Sequence, residues 1–170
     1  MVIVLIGMPG CGKTCMGKVL GRKLNLRVID GDAVIERRYG KKLHTLIKEV
    51  GIEEFKRIEE EALLSISGDD IIISTGGSAV YYDNVMQYYK KLGTIVYLDV
   101  NLYILKRRLG DFSKRGILLR PGQTIDDLYK ERTVLYKKYA DVTVNCSGNA
   151  FPRYQQEVIN AVMERQVKSD

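Results

Sequence analysis

The chain has 170 residues, of which 45% are hydrophobic, and its formal net charge is +6 at pH 7. This length suits one globular domain, and we expect a single domain over residues 1–170. The longest apolar runs, such as Val2–Ile6, are too short to span a bilayer, and no charged leader of a signal peptide precedes them. We expect a monomeric, cytoplasmic protein without a membrane partner. The positive charge predicts anionic ligands.

Five short apolar runs predict β-strands, at residues 2–6, 26–30, 71–74, 94–100 and 142–146. Apolar residues at helical spacing predict helices between them, including residues 13–24, 52–66, 124–140 and 151–167. Unbroken apolar strands alternating with helices favour an α/β fold in which helices cover both faces of a parallel sheet. Ligands of such sheets bind at the carboxyl ends of the strands, where this chain places its glycine-rich and acidic residues.

The stretch "VLIGMPGCGKT" at residues 4–14 follows the first predicted strand. Its spacing matches G-x-x-x-x-G-K-[ST], the P-loop pattern, in which backbone N–H groups and a helix N-terminus surround phosphates. The alternative is a plain glycine turn, but the position between a buried strand and a helix favours nucleoside triphosphate binding. The predicted nucleotide-binding residues of this stretch and the position after it are Gly10, Cys11, Gly12, Lys13, Thr14 and Cys15. Lys13 would contact the outer phosphates and act in catalysis, and the Thr14 hydroxyl would hold Mg²⁺.

The three cysteines do not indicate a disulfide framework, because their number is odd and two lie in the P-loop stretch. With His44, an expected helix residue, they do not give the spacing of a metal site. Cys11 lies near a helix N-terminus and Lys13, a setting that favours the thiolate. We therefore predict that Cys11 is the most readily alkylated cysteine and that ATP protects it. The alternative is that it is a small, inert filler.

The stretch "DGDAVIE" at residues 30–36 follows the second predicted strand. Its two aspartates could divide the work of a kinase, one toward Mg²⁺ and one toward the hydroxyl of an acceptor. The alternative is that Asp30 and Asp32 cap the next helix. The residues alone do not decide between catalysis and helix capping.

Several charged segments follow, namely "EEFKRIEEEAL", "KRRLGDFSKRG" and "KERTVLYKKYAD". Each alone is typical of the solvated face of a helix. In this order, with the P-loop, the two aspartates and "STGG", the chain resembles shikimate kinase over nearly its whole length. That family belongs to the P-loop group related to nucleoside monophosphate kinases. The resemblance implies a five-stranded parallel sheet in the order 2-3-1-4-5 and ATP with Mg²⁺ as cofactors.

On the nucleotide side, the resemblance implies that Asp30 joins Thr14 in holding Mg²⁺. Arg115 would lie in a mobile lid, at about residues 110–124, and reach the transferring phosphate. The same segment has turn-forming and basic residues and few apolar ones, which independently favours a loop that closes over ATP and excludes water. Arg108 would lie beside the adenine.

On the acceptor side, the resemblance implies that Asp32 binds the ring hydroxyls and is the candidate base. Gly76 and Gly77 would offer backbone N–H groups, and Arg132 would bind the carboxylate of the acceptor. Lys56 stands where the family usually has an arginine, and we expect it to bind the carboxylate less well, because an ammonium cannot form two parallel hydrogen bonds.

The chain departs from the family pattern at Lys56, at Ser78 in place of a third glycine, and at Gly116 in place of a proline. These changes leave ATP binding intact and put the identity of the acceptor in question. The acceptor region would extend over about residues 31–67.

The leading hypothesis is ATP-dependent phosphorylation of shikimate to shikimate 3-phosphate. One alternative is a related kinase for another small hydroxylated metabolite, and another is a regulatory module that binds nucleotide without turnover. A nucleic-acid binder is not expected, because it would need exposed aromatic side chains among its cations. Tyr81, Tyr82, Tyr88 and Tyr89 instead follow a helical pattern, where packing is the expected role.

Overall fold

The computed structural model describes residues 1–110, 117, 119–148 and 151–169, without the side chains of residues 151–152 and 166–169. Within this part of the chain, five parallel strands form one sheet in the order β2-β3-β1-β4-β5. The strands are β1 (Val2–Ile6), β2 (Arg27–Asp30), β3 (Ile71–Ser74), β4 (Thr94–Asp99) and β5 (Val142–Asn145). The predicted α/β fold and strand order are confirmed.

Eight α-helices are described: α1 (Lys13–Leu24), α2 (Gly31–Tyr39), α3 (Leu43–Val50), α4 (Ile52–Leu64), α5 (Asp83–Leu92), α6 (Leu102–Leu109), α7 (Ile125–Tyr139) and α8 (Phe151–Ser169). A 3₁₀ helix covers Ala79–Tyr81. The predicted helix at residues 124–140 is one residue longer at each end, because Thr124 caps α7 with its side chain and Ala140 is the other cap. No helix of the described residues is both long and apolar enough to cross a membrane.

The central strand β1 explains why the sheet is covered on both faces. All five of its residues are buried, and alternate residues of a strand point to opposite faces. Its neighbours run in register with it, so that Ile3 lies beside Ile72 of β3 and beside Thr94 of β4. The unbroken apolar runs of the sequence are therefore those of a sheet packed between helices.

Helices α2, α3 and α4 have a small hydrophobic cluster of their own, separate from the main core. The buried members are Ile35, Leu46, Phe55, Ile58 and Ala62. Val34 packs against both clusters and joins this group of helices to the sheet. The cluster packs the three helices of the segment predicted to bind the acceptor against one another.

Candidate active site

A cavity of about 490 Å³ opens at the carboxyl ends of β1, β2 and β3. It is lined by Pro9, Gly10, Gly12, Lys13, Thr14, Cys15, Asp30, Asp32, Leu43, Ile47, Phe55, Glu59, Thr75, Gly76, Gly77, Ser78, Ile117 and Arg132. The three segments that follow the three strands thus meet in one place, as expected for an open parallel sheet. Ten residues predicted for the site line this cavity: Gly10, Gly12, Lys13, Thr14, Cys15, Asp30, Asp32, Gly76, Gly77 and Arg132.

The P-loop turns between β1 and α1 through glycines with positive φ. Gly12, which caps α1, has φ 102°, a conformation that other residues rarely adopt. At Gly7 a Cβ atom would lie 2.9 Å from the Leu98 carbonyl oxygen, so the loop also depends on a close approach to the end of β4. Lys13 begins α1, and its ammonium donates to the carbonyl oxygens of Gly7 (2.7 Å) and Met8 (3.0 Å). The charge of Lys13 is therefore held inside the loop that would surround a phosphate.

Asp30 links the P-loop to the start of α2. Its Oδ2 accepts a hydrogen bond from the Thr14 hydroxyl at 3.0 Å, and its Oδ1 accepts from the backbone N–H groups of Asp32 (3.1 Å) and Ala33 (3.3 Å). The residue that caps α2 is therefore Asp30, which leaves the side chain of Asp32 for another role. A hydroxyl and a carboxylate side by side suit Mg²⁺, which takes oxygen ligands and usually one or two protein groups beside substrate phosphates.

Asp32 faces the cavity from the first turn of α2. Burial is the main cause that raises its pKa from 3.8 to about 6, and the nearby charges of Asp30 and Glu59 raise it further. The positive charge of Lys13 lowers the pKa of Asp32. A carboxylate with a pKa near 6 is ionised at neutral pH and is a better proton acceptor than an ordinary aspartate.

Glu59 of α4 is a buried carboxylate of the site that the sequence analysis did not single out. Its Oε1 accepts a hydrogen bond from the Ser78 hydroxyl (2.6 Å), and its Oε2 accepts from the Tyr82 hydroxyl (2.7 Å). Burial raises the pKa of Glu59, and these two hydrogen bonds and Arg132 lower it. A signal was present, because Glu59 lies four residues after Phe55 on the apolar face of α4.

Arg132 of α7 lines the opposite side of the cavity and is only 4% exposed. Its Nε donates to the Tyr81 hydroxyl at 3.3 Å, and among the described residues it forms no salt bridge. A buried guanidinium that forms no salt bridge is costly to a fold. Arg132 therefore has the surroundings expected of a group that pairs with an anionic ligand.

Gly76 and Gly77 form the floor between the acidic and basic sides. A Cβ atom on Gly76 would lie 3.0 Å from Glu59 Oε1 and 3.1 Å from Asp32 Oδ1. A Cβ on Gly77 would lie 2.9 Å from Arg132 Nη1. Pro9 of the P-loop is closer still to Gly77, with its Cδ 2.8 Å from that Cβ, so a side chain at either glycine would crowd groups that line the cavity.

The other four predicted residues, Cys11, Lys56, Arg108 and Arg115, lie outside the cavity wall or outside the described part of the chain. Lys56 is exposed on α4, and its Nζ pairs with Glu53 at 2.8 Å, so the structure gives it no contact with the site. Arg108 lies next to the P-loop, where its Nη1 donates to the Gly10 carbonyl oxygen at 3.4 Å. Arg115 is outside the described residues, as are residues 111–114, 116 and 118 of the predicted lid, and the roles of Arg115 and of the lid stay predictions.

The prediction that Cys11 is the most readily alkylated cysteine is wrong on accessibility. Cys11 is 1% exposed, and a Cβ on Gly7 would lie 2.8 Å from its sulfur. Cys15, in the first turn of α1, is exposed and lines the cavity. The thiol at the helix N-terminus that a reagent can reach is therefore Cys15.

Comparison with known proteins agrees with this geometry. The family model for shikimate kinase matches residues 9–166. Shikimate kinase of Sulfurihydrogenibium sp. (strain YO3AOP1) is 30% identical, over 96% of this chain and 98% of its own length. The solved structure of shikimate kinase from Acinetobacter baumannii in complex with shikimate superposes with a TM-score of 0.87, at 26% identity, covering 96% of this chain and 93% of that one.

A much longer protein is also similar to this chain. Threonine synthase-like 1 of Macaca fascicularis is 38% identical over 96% of this chain, but the chain spans only 22% of the length of that protein. The family model, by contrast, covers nearly the whole chain, and the Sulfurihydrogenibium relative is matched over 98% of its length. The chain belongs to the shikimate kinase family.

Proposed function

We propose that this protein transfers the γ-phosphoryl group of ATP to the 3-hydroxyl of shikimate. The observation that carries the proposal is Arg132, a buried guanidinium without a salt bridge among the described residues, which faces the same cavity as the P-loop and Asp32. Such a cavity suits an acceptor with an acid group at one end and hydroxyls at the other. Family membership and the shikimate bound to the Acinetobacter baumannii enzyme support shikimate as that acceptor.

The residues divide the reaction between them. The P-loop backbone and Lys13 hold the phosphates, and Thr14 and Asp30 would hold Mg²⁺, which offsets charge on the phosphate oxygens when bound. Asp32 orients the acceptor hydroxyl and takes its proton as the new oxygen–phosphorus bond forms and the bond to ADP breaks. Arg132 fixes the acid group, so that the hydroxyl is presented to the phosphate.

A second candidate is phosphorylation of another small hydroxylated acid. It is favoured by Lys56, which stands where the resemblance implies an arginine and which forms a surface pair with Glu53 instead of lining the cavity. On this reading Arg132 alone holds the acid group, and an acceptor with a different arrangement of hydroxyls would fit. The chemistry of transfer is the same in both candidates.

A coupled assay of ADP release tests the proposal. With ATP and Mg²⁺, shikimate should be the best acceptor in a panel of polyols and sugar acids. Lys13→Met should remove turnover without unfolding the protein, since the charge on the outer phosphates is lost. Arg132→Met should raise the KM for shikimate by on the order of tenfold or more, because a charged hydrogen bond contributes about 1.5–3 kcal/mol. No ADP release with any acceptor would favour the regulatory alternative.

We further propose that residues 1–170 act as one kinase domain, with acceptor binding by residues 31–67. Support comes from the helix group α2–α4, whose cluster is joined to the main core through Val34. The lid at about residues 110–124, the monomeric state and the cytoplasmic location stay predictions.

A further inference from the structure

Tyr81 makes two contacts with the guanidinium of Arg132. The Arg132 guanidinium carbon lies 5.2 Å from the centre of the Tyr81 ring, within the range of a cation–π contact. The Tyr81 hydroxyl accepts a hydrogen bond from Arg132 Nε at 3.3 Å. The sequence pattern predicts that Tyr81 packs on a helix, but in the structure Tyr81 ends the 3₁₀ helix and is 40% exposed. Its position is therefore set by polar contacts more than by burial.

A carboxylate on α7 holds the Tyr81 hydroxyl in place. That hydroxyl donates to Glu131 Oε1 at 2.5 Å, while Arg120 and Gln123 donate to the other oxygen, Oε2. Burial and the Glu131 carboxylate raise the pKa of Tyr81, so the phenol keeps its proton. It can then donate to Glu131 and accept from Arg132 at the same time.

We propose that Tyr81 is a positioning residue for the acceptor, which holds Arg132 so that its Nη nitrogens meet the acid group end-on. The proposal rests on the proposed function, since it needs an acceptor with an acid group. Because Nε already donates to Tyr81, a carboxylate cannot use the side of the guanidinium that includes Nε. Nη1 lies at the floor of the cavity, where a Cβ on Gly77 would be 2.9 Å away.

Fixing Arg132 in advance also lowers the cost of binding. An arginine side chain has several rotatable bonds, and ordering such a side chain on binding weakens affinity. With the ring against one face and the hydroxyl on Nε, much of this ordering is complete before the acceptor arrives. The effect of Tyr81 should consequently appear in the affinity for the acceptor, with kcat and the KM for ATP unchanged.

The test compares Tyr81→Phe and Tyr81→Leu with a matched control, Tyr103→Leu. Tyr103 also lies near an arginine, at 5.9 Å from the Arg107 guanidinium carbon, but on α6 and at 69% exposure. Calorimetry gives the Kd of shikimate in the presence of ADP, and steady-state assays give KM, kcat and the preference for shikimate over its methyl ester. The ester has the same ring but no negative charge.

We expect Tyr81→Phe to raise the Kd of shikimate roughly threefold and Tyr81→Leu on the order of tenfold, because the second change also removes the ring. Tyr81→Leu should lose most of the preference for the acid over the ester, with kcat within about twofold of the original value. Tyr103→Leu should change none of these quantities.

Two results would overturn the inference, namely an unchanged Kd in Tyr81→Leu, or an equal fall in binding of the acid and the ester. The proposed function fails in a different way, through absence of turnover with shikimate in the unmodified protein. If shikimate then still binds and Tyr81→Leu weakens that binding, the role of Tyr81 stands while the reaction is another. Absence of shikimate binding by the unmodified protein would overturn both.

Discussion

Replacing Asp32 with asparagine should make the protein more stable and less active at the same time. In the folded protein, burial and the charges of Asp30 and Glu59 move the pKa of Asp32 from 3.8 to about 6. The folded state therefore binds this proton more tightly than the unfolded state does. The resulting destabilisation is absent below pH 3.8, grows as the pH rises toward 6 and is fully present above it.

The size of the effect follows from the pKa change. At 1.36 kcal/mol per pKa unit, the charge on Asp32 costs about 3 kcal/mol of folding free energy at pH 8, and about half of that at pH 5. Asparagine has nearly the same shape and no charge. Asp32→Asn should therefore raise the free energy of unfolding by about 1–3 kcal/mol at pH 8 and by clearly less at pH 5, which is a rise in Tm on the order of 5 °C at the higher pH.

Urea and thermal unfolding at the two pH values measure this directly, with Asp69→Asn as the control at an exposed aspartate. Turnover by Asp32→Asn should fall by about 10²–10⁴-fold, and kcat/KM of the unmodified protein should fall below about pH 6 as Asp32 becomes protonated. The reasoning is refuted if Asp32→Asn is no more stable than Asp69→Asn at pH 8, or if its gain is equal at both pH values.

Three other predictions use the same cavity. Gly77→Ala places a Cβ 2.8 Å from Pro9 Cδ of the P-loop and 2.9 Å from Arg132 Nη1, and should raise the KM for shikimate on the order of tenfold. Gly148→Ala, with nothing within 4 Å of its Cβ, should leave that KM unchanged, and equal KM values in the two variants would contradict the close approach. Mass spectrometry after brief iodoacetamide treatment should find that Cys15 is labelled first and that ATP slows its labelling. An equal labelling rate with and without ATP would place Cys15 outside the nucleotide site. Lys56→Ala should change the KM for shikimate by less than about twofold, since an exposed ion pair contributes little. A tenfold rise in this KM would show that Lys56 contacts the acceptor after all.

The parts of the fold that depend on neighbouring residues could be predicted from the sequence. β1 and α1 begin and end at the residues that the apolar pattern and the glycines of the sequence predict, namely Val2–Ile6 and Lys13–Leu24. The later strands differ only at their ends, since β4 stops at Asp99 and β5 at Asn145. In both places the next residue is still buried but has left the ladder, and an apolar pattern cannot show that difference.

The contacts that shape the acceptor side could not be predicted in the same way. Tyr82 forms a hydrogen bond with Glu59, which is 23 positions away in the sequence, and Tyr81 forms one with Arg132, which is 51 positions away. Such hydroxyl contacts depend on how the 3₁₀ helix packs against α4 and α7, which no local pattern determines. The burial of Glu59 and the exposure of Lys56 could have been predicted from the sequence. Glu59 lies on the apolar face of α4, and Lys56 lies outside it.

The central claim is that this protein phosphorylates shikimate, and identification of the product tests it most directly. The protein is incubated with ATP, Mg²⁺ and shikimate, and the products are examined by phosphorus and proton NMR, with Lys13→Met treated in parallel. We predict ADP and shikimate 3-phosphate in equal amounts from the unmodified protein, and neither from Lys13→Met. ATP consumption without phosphorylated shikimate, or a phosphate on a different hydroxyl, would contradict the proposed orientation of the acceptor between Arg132 and Asp32.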